Sequence, residues 1–134
     1  MCVCTMRGLK RTLLNSLKEK LGRRKTFTAY KVLDKFGQNL YSSYGIFNYK
    51  QGTNRALAKG KIVSKDYKYG RGNAGIHVYK DKNGFECQSD LNNWGNVLVE
   101  ITCHIDDVLA IDYTQIALSK VYISKSAWKK AGLK

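Results

Sequence analysis

The sequence predicts an α+β fold: an N-terminal amphipathic helix packed on a mostly antiparallel sheet of five or six strands, followed by a short C-terminal helix or tail. Three observations predict it. Apolar residues recur at helical spacing near the start of the chain. Most of the remaining chain falls into short β-prone runs punctuated by Gly, Asn and Asp. The 134 residues make one ordinary domain, 1–134, of a size that buries about two thirds of its unfolded surface without staples.

The helix is read over residues 5–22, "TMRGLKRTLLNSLKEKLG", where Met6, Leu9, Leu13, Leu17 and Leu21 form one apolar stripe. Thr5 is placed as its N-cap and Gly22 as its C-cap, while Gly8 weakens the first turn by about 1 kcal/mol relative to Ala. The opposite face carries Arg7, Lys10, Arg11, Lys18 and Lys20, and Arg23, Arg24 and Lys25 come directly after.

Residues 26–123 form the sheet region. The runs "TFTAYKVLD" (26–34), "NLYSSYGIFNY" (39–49), "GKIVSKDYKYG" (60–70, ending in a loop) and "GIHVYK" (75–80) are strand-like. "DKNGF" (81–85) turns through Asn83-Gly84. "NVLVEITCHI" (96–105) alternates, with Val97, Val99, Ile101 and Cys103 on one face and Leu98, Glu100, Thr102 and His104 on the other. "DDVLAID" (106–112) turns and continues as a strand, and "IALSKVYI" (116–123) is read as one further strand. In the C-terminal segment 124–134, Ser126 is placed as a helix cap and Trp128 as an anchor on the core.

Charge is the strongest functional signal. The net charge is +14, from 24 Lys and Arg against 10 Asp and Glu. Residues 1–82 hold 19 basic and 4 acidic residues; residues 83–119 hold no Lys or Arg and the six acids Glu86, Asp90, Glu100, Asp106, Asp107 and Asp112; residues 120–134 are again net +5. Such a surplus suits a polyanionic partner, because Lys and Arg neutralise phosphates and release their counterions. The acidic segment is also free to pair with the basic ones, which would shrink the positive field.

No cofactor and no metal site are expected. Cys2, Cys4, Cys87 and Cys103 show no close zinc spacing, since the C-x-C at the start is too tight for a knuckle. No apolar run is long enough for a transmembrane segment. The opening "MCVCTMRGLKR" lacks the apolar core of a signal peptide, so an intracellular, reducing setting is expected.

Gly70, Gly72 and Gly75 spell the G-x-G-x-x-G spacing of a dinucleotide-binding loop. That fingerprint requires a helix immediately after it, to place a helix N-terminus at the pyrophosphate. Here the β-prone "IHVYKDKNGF" comes next, and the dinucleotide reading fails on context. Its neighbours interleave aromatic and cationic side chains in Tyr67, Lys68, Tyr69 and Arg71, and Lys59, Lys61 and Lys65 extend the basic run upstream. Rings of this kind stack on bases while cations meet phosphates; the plainer alternative is a hairpin loop whose tyrosines pack back on the sheet. The expected nucleic-acid contacts are therefore Lys18, Lys20, Arg23, Arg24 and Lys25 together with Lys59, Lys61, Lys65, Tyr67, Lys68, Tyr69 and Arg71.

Catalytic constellations are thin, and no catalytic residue is assigned. Cys103 and His104 are adjacent on a strand and so point to opposite faces, which denies them a shared nucleophilic site.

The elements "GIHVY" (75–79), "VLVEITCHIDDVLAID" (97–112) and "KVYI" (120–123) together resemble the C-terminal region of bacteriophage rapid-lysis B-type proteins, where a G-[IL]-H-V element precedes a strand ending in a "DV"-plus-apolar turn. The resemblance covers residues 75–123. The chain departs from that pattern in having Asp112 where proline is expected, and in its additional basic N-terminal helix. What the resemblance implies is a small phage-type accessory protein acting in the host cytoplasm, with no catalytic residue to carry over. A further implication, by analogy, is an anti-defence role of the anti-CRISPR kind.

Three readings compete. The preferred one is a non-enzymatic protein that binds nucleic acid or a host nucleoprotein. The second is a small ADP-ribosyltransferase-like or nucleotide-binding enzyme, which needs a cleft joining His77, tyrosines and Glu100. The third is a protein–protein interaction module, in which basic and acidic regions pair head to tail in a homo-oligomer.

Overall fold

A computed structural model describes residues 9–42, 47–56, 75–91 and 95–134. Its element order is α1 (Leu9–Leu21), β1 (Thr26–Phe36), β2 (Asn39–Tyr41), β3 (Asn48–Tyr49), β4 (Gly52–Arg55), β5 (Ile76–Tyr79), α2 (Phe85–Leu91), β6 (Asn96–His104), a 3-10 turn (Ile105–Asp107), β7 (Val108–Ile111), β8 (Gln115–Leu118), β9 (Lys120–Ile123) and α3 (Lys125–Lys130). The α+β class stands.

Helix α1 ends where expected. Gly22 has φ 61 and its N–H reaches the Lys18 carbonyl at 3.0 Å, the left-handed C-terminal cap that glycine adopts without strain. Leu13, Leu14 and Leu17 rest on the core. Thr5 and Gly8, at the expected start of the helix, lie outside the described residues.

The sheet is antiparallel, with strands in the order β4-β9-β6-β1-β5-β8-β7, and β2 and β3 added beside β1. Its spine is the β1–β6 ladder, in register from Thr26 opposite His104 to Asp34 opposite Asn96. Ala29 and Leu33 on β1, and Val99, Ile101 and Cys103 on β6, project into one core with Ile116, Leu118, Val121 and Ile123. The alternation read in residues 96–105 is thus the alternation of core and outer face. The second edge of β1 is shared: β2 folds back on residues 34–36 through Gly37 (φ 59), and β5 joins at Tyr30 opposite Tyr79.

The described residues form nine strands, where five or six were expected for the chain, and the expected strand at 60–70 lies outside the described residues. Part of the difference is β4, whose "GTNR" carries little β-prone sequence to announce it. A larger part is the run 116–123, expected as one strand. It changes partners at Ser119: β8 pairs with β5 and β7, whereas β9 pairs with β4 and β6. Ser119 N donates to Asp107 O and Ser119 O accepts from Ala56 N, both at 2.9 Å. One segment therefore serves both ends of the strand order, which requires the sheet to curl round its core.

Helix α2 is an addition to the expected elements. The Asn83-Gly84 turn is present, but a seven-residue helix succeeds it, "FECQSDL", of which only Cys87 is buried and Phe85 is almost fully exposed. Such a helix has no apolar stripe to read. Helix α3 is capped by Ser124, whose Oγ accepts from Ala127 N at 3.0 Å, and not by Ser126, which lies inside the helix. Trp128 is buried against the core, as its position suggested. None of the described helices is long and apolar enough to cross a membrane.

Candidate functional site

The C-terminal turn of α1 and the start of β1 gather five cations. Lys18 and Lys20 sit on the last turn, the left-handed Gly22 reverses the chain, and Arg23, Arg24 and Lys25 lead into β1. All five are exposed. The turn is fixed from both sides: Arg24 N donates to Leu21 O at 3.1 Å, its Nε to the same oxygen at 3.3 Å, and Ile105 N donates to Lys25 O at 2.8 Å. Part of this placement serves the helix itself, since cations near a helix C-terminus offset its dipole. That role needs one or two charges, not five.

A cavity of about 210 Å³ opens beside the cluster, between α1 and the sheet. Leu13, Leu17, Phe27 and Ile116 line its apolar side, and Lys20 and Lys80 contribute ammonium groups. Burial lowers the Lys80 pKa, and the nearby Lys20 charge lowers it further against the opposing pull of Asp112. Lys80 is not among the expected contacts, although its position at the end of a short strand in a strongly basic chain is a usable signal.

The acidic segment does pair with basic residues, but with those that come after it in the chain. Among the described residues the ion pairs are Lys120–Asp107 at 4.0 Å and Lys130–Glu100 at 3.8 Å, while His104 Nδ1 accepts from Asp106 N and lies 3.6 Å from the Asp106 carboxylate. Other acids are held by neutral groups: Asp90 accepts from the Tyr79 hydroxyl, Glu86 from Gln115 Nε2 at 2.9 Å, and Asp112 from the N–H groups of Thr114 and Gln115. No described acid forms an ion pair with Lys18, Lys20, Arg23, Arg24 or Lys25.

A second cluster lies around the β1–β5 junction. The half-buried Lys31 donates to His77 O at 2.7 Å where β5 diverges from β1, and its ammonium stands 5.9 Å from the centre of the Tyr49 ring. Burial lowers its pKa to about 8, against the raising influence of Asp90. Burial raises the pKa values of both Tyr49 and Tyr79, and Asp90 adds to the shift at Tyr79. Burial also pushes up the thiols of Cys87 and of Cys103, the latter to about 12, so neither is a ready thiolate nucleophile. This cluster joins β1, β3 and β5 around the Lys31 ammonium.

The two residues named by the enzyme reading, His77 and Glu100, lie on the strands that flank β1. Glu100 is exposed and engaged by Lys130. The whole of β1 stands between it and His77, a separation of roughly 10 Å across two strand spacings. Cys103 is buried in the core while His104 is half-exposed on the outer face, as their adjacency required. Among the described residues no three His, Cys, Asp or Glu side chains gather as metal ligands.

Gly75 has a structural role. Its φ is 102, and a β-carbon there would lie 2.9 Å from Leu118 O, so glycine lets the start of β5 close onto β8. A strand succeeds it, not a helix, in agreement with the rejection of a dinucleotide loop. Gly70 and Gly72 lie outside the described residues, as do Lys59, Lys61, Lys65, Tyr67, Lys68, Tyr69 and Arg71. The expected contacts that the structure brings together are thus Lys18, Lys20, Arg23, Arg24 and Lys25, with Lys80 added. Compared with known proteins, the chain matches no protein-family model, no curated protein and no solved structure.

Proposed function

We propose that the protein is a non-enzymatic, intracellular accessory protein that binds nucleic acid or a nucleoprotein through the Lys18–Lys25 cluster. One observation carries the reading: five exposed cations stand within eight residues, and the described acids make their ion pairs elsewhere. A cluster of that density creates a field that draws phosphate backbones. Lys80 extends it across the α1 groove. The resemblance of residues 75–123 to phage accessory proteins adds a host defence complex as the setting in which such a surface would act.

The test is a binding titration with a fluorescein-labelled single strand of about 20 nucleotides and the matching duplex, at about 50 and about 200 mM salt. Five phosphate contacts predict a loss of affinity of about 100-fold for the single strand and about 500-fold for the duplex between the two salt concentrations. Replacing Lys18, Lys20, Arg23, Arg24 and Lys25 together by Gln should flatten that dependence while leaving the circular dichroism spectrum unchanged. Binding that ignores salt, or that survives the fivefold replacement intact, overturns the reading.

A further inference from the structure

The outer face of β4, β9, β6 and β1 carries a feature the charge pattern does not announce. Val121 and Ile123 on β9 are buried in the core, so the intervening Tyr122 is held facing outward, and it is 46% exposed. Its partners across the ladders are Thr53 on β4 and Thr102 on β6. Neither is large enough to cover an aromatic ring, so a face of the tyrosine stays open. Two residues before it on β9, Lys120 stands opposite Arg55, and His104 lies two residues beyond Thr102 on the same face.

Tyr122, Thr53, Thr102, Lys120 and His104 border a groove of about 340 Å³, at the small end of the range for ligand sites, and Arg55 is the ladder neighbour of Lys120. His104 Nδ1 accepts from Asp106 N at 3.1 Å, which leaves the ring proton on Nε2 as an outward donor. Asp107 also lines the groove. Its carboxylate stands 4.0 Å from the Lys120 ammonium, repels phosphate and accepts from an exocyclic amino group, so a base enters here while the backbone stays with Arg55 on β4 and with the basic turn. The groove meets the end of the basic turn: Thr26, in its wall, pairs with His104 and directly succeeds Lys25.

The geometry points to a single-stranded nucleic-acid site on this face, with Tyr122 as the platform on which one base stacks. The site rests on the nucleic-acid reading of the basic turn and deepens it: the cluster at 18–25 attracts the backbone, and Tyr122 selects unpaired over duplex strands. A ring flanked by threonines and cations suits this ligand, since every base offers a π-face and stacking tolerates any sequence. Duplex DNA, with its bases stacked on one another, has none to offer.

The test compares Tyr122→Ala, Tyr122→Phe and the fivefold Gln variant on a labelled single strand, on the same strand with abasic sites, and on duplex. Tyr122→Ala should lose on the order of tenfold in affinity for the normal single strand, and little for the abasic strand or the duplex. Tyr122→Phe, which keeps the ring, should stay near wild type. Because Tyr122 contributes nothing to the core, an unchanged urea midpoint accompanies these results. A Tyr122→Ala protein that binds the single strand as tightly as wild type overturns the stacking site, and the basic-turn reading stands if the fivefold variant still loses affinity. Loss in Tyr122→Ala with an unaffected fivefold variant overturns the basic turn and keeps the stacking site. Absence of binding by wild type to all three probes overturns both.

Discussion

Gly75 and Leu118 approach so closely that any β-carbon at residue 75 would sit 2.9 Å from the Leu118 carbonyl oxygen and 3.0 Å from the Leu109 side chain. The backbone also holds φ 102, a region L-residues rarely adopt. Gly75→Ala therefore combines backbone strain with a contact against rigid backbone, and should cost about 2 to 4 kcal/mol in urea unfolding. Gly37→Ala is the matched control. Gly37 has φ 59 but open space around its missing β-carbon, so that change should cost about 1 kcal/mol. Equal losses at the two sites would mean that the approach to Leu118 is unimportant.

Two serines near the C-terminus separate by role. Ser124 Oγ accepts from Ala127 N and caps α3, which carries Trp128 into the core. Ser124→Ala should destabilise the protein by about 1 kcal/mol. Ser126 is exposed inside the helix, and Ser126→Ala should be neutral or slightly stabilising, since alanine is the better helix former. Thermal unfolding of the two variants side by side decides between them.

Tyr79 fastens α2 to the sheet. Its hydroxyl donates to the Asp90 carboxylate, while Gln115 holds Glu86 one turn earlier on the same helix. Tyr79→Phe removes the donor and leaves a half-buried carboxylate without it, at a cost of about 1 to 2 kcal/mol. The loss should be localised: amide exchange should quicken across residues 85–91 before it changes in β6. Uniform quickening through the sheet would show that α2 is not a separate opening unit.

Where side-chain periodicity and burial agree, the sequence was legible. The Leu13–Leu17 stripe, the Val97–Cys103 alternation and the Gly22 cap all appear in the structure because each is local and repeated. Helix α2 was hidden because only Cys87 of its seven residues is buried. The break at Ser119 was hidden because β8 and β9 are both apolar and β-prone, and what divides them is a change of distant partners. Charge along the chain located Lys18–Lys25, but Lys80 and Tyr122 depend on which strands become neighbours. The signal for Tyr122 was present in "KVYI", where two core residues force the tyrosine outward once the strand is placed.

Lys31 gives the fold a testable pH dependence. Its ammonium is enclosed between the His77 carbonyl and the Tyr49 ring, with Asp90 as the nearby counter-charge, and burial lowers its pKa from an ordinary 10.5 to about 8. Between those two values the native chain holds fewer protons than the unfolded chain, so this contribution to stability rises with pH across the window and is constant below it. Cys103 acts in the opposite sense. Its pKa is raised from 9.0 to about 12, so the unfolded chain releases that proton first and stability falls from about pH 9 upward. Tyr49 and Tyr79 add to the fall at higher pH. The contribution of Lys31 is therefore isolated by a difference between proteins, not by one profile. Lys31→Met keeps an unbranched side chain one atom shorter and removes the charge. The stability of wild type minus that of Lys31→Met should grow by on the order of 1 to 2 kcal/mol between about pH 8 and about pH 9.5, and stay level between about pH 6 and about pH 7. A difference that is flat through about pH 9.5 would show that the Lys31 ammonium is hydrated in the native protein, and that its bond to His77 is not made in a dry junction.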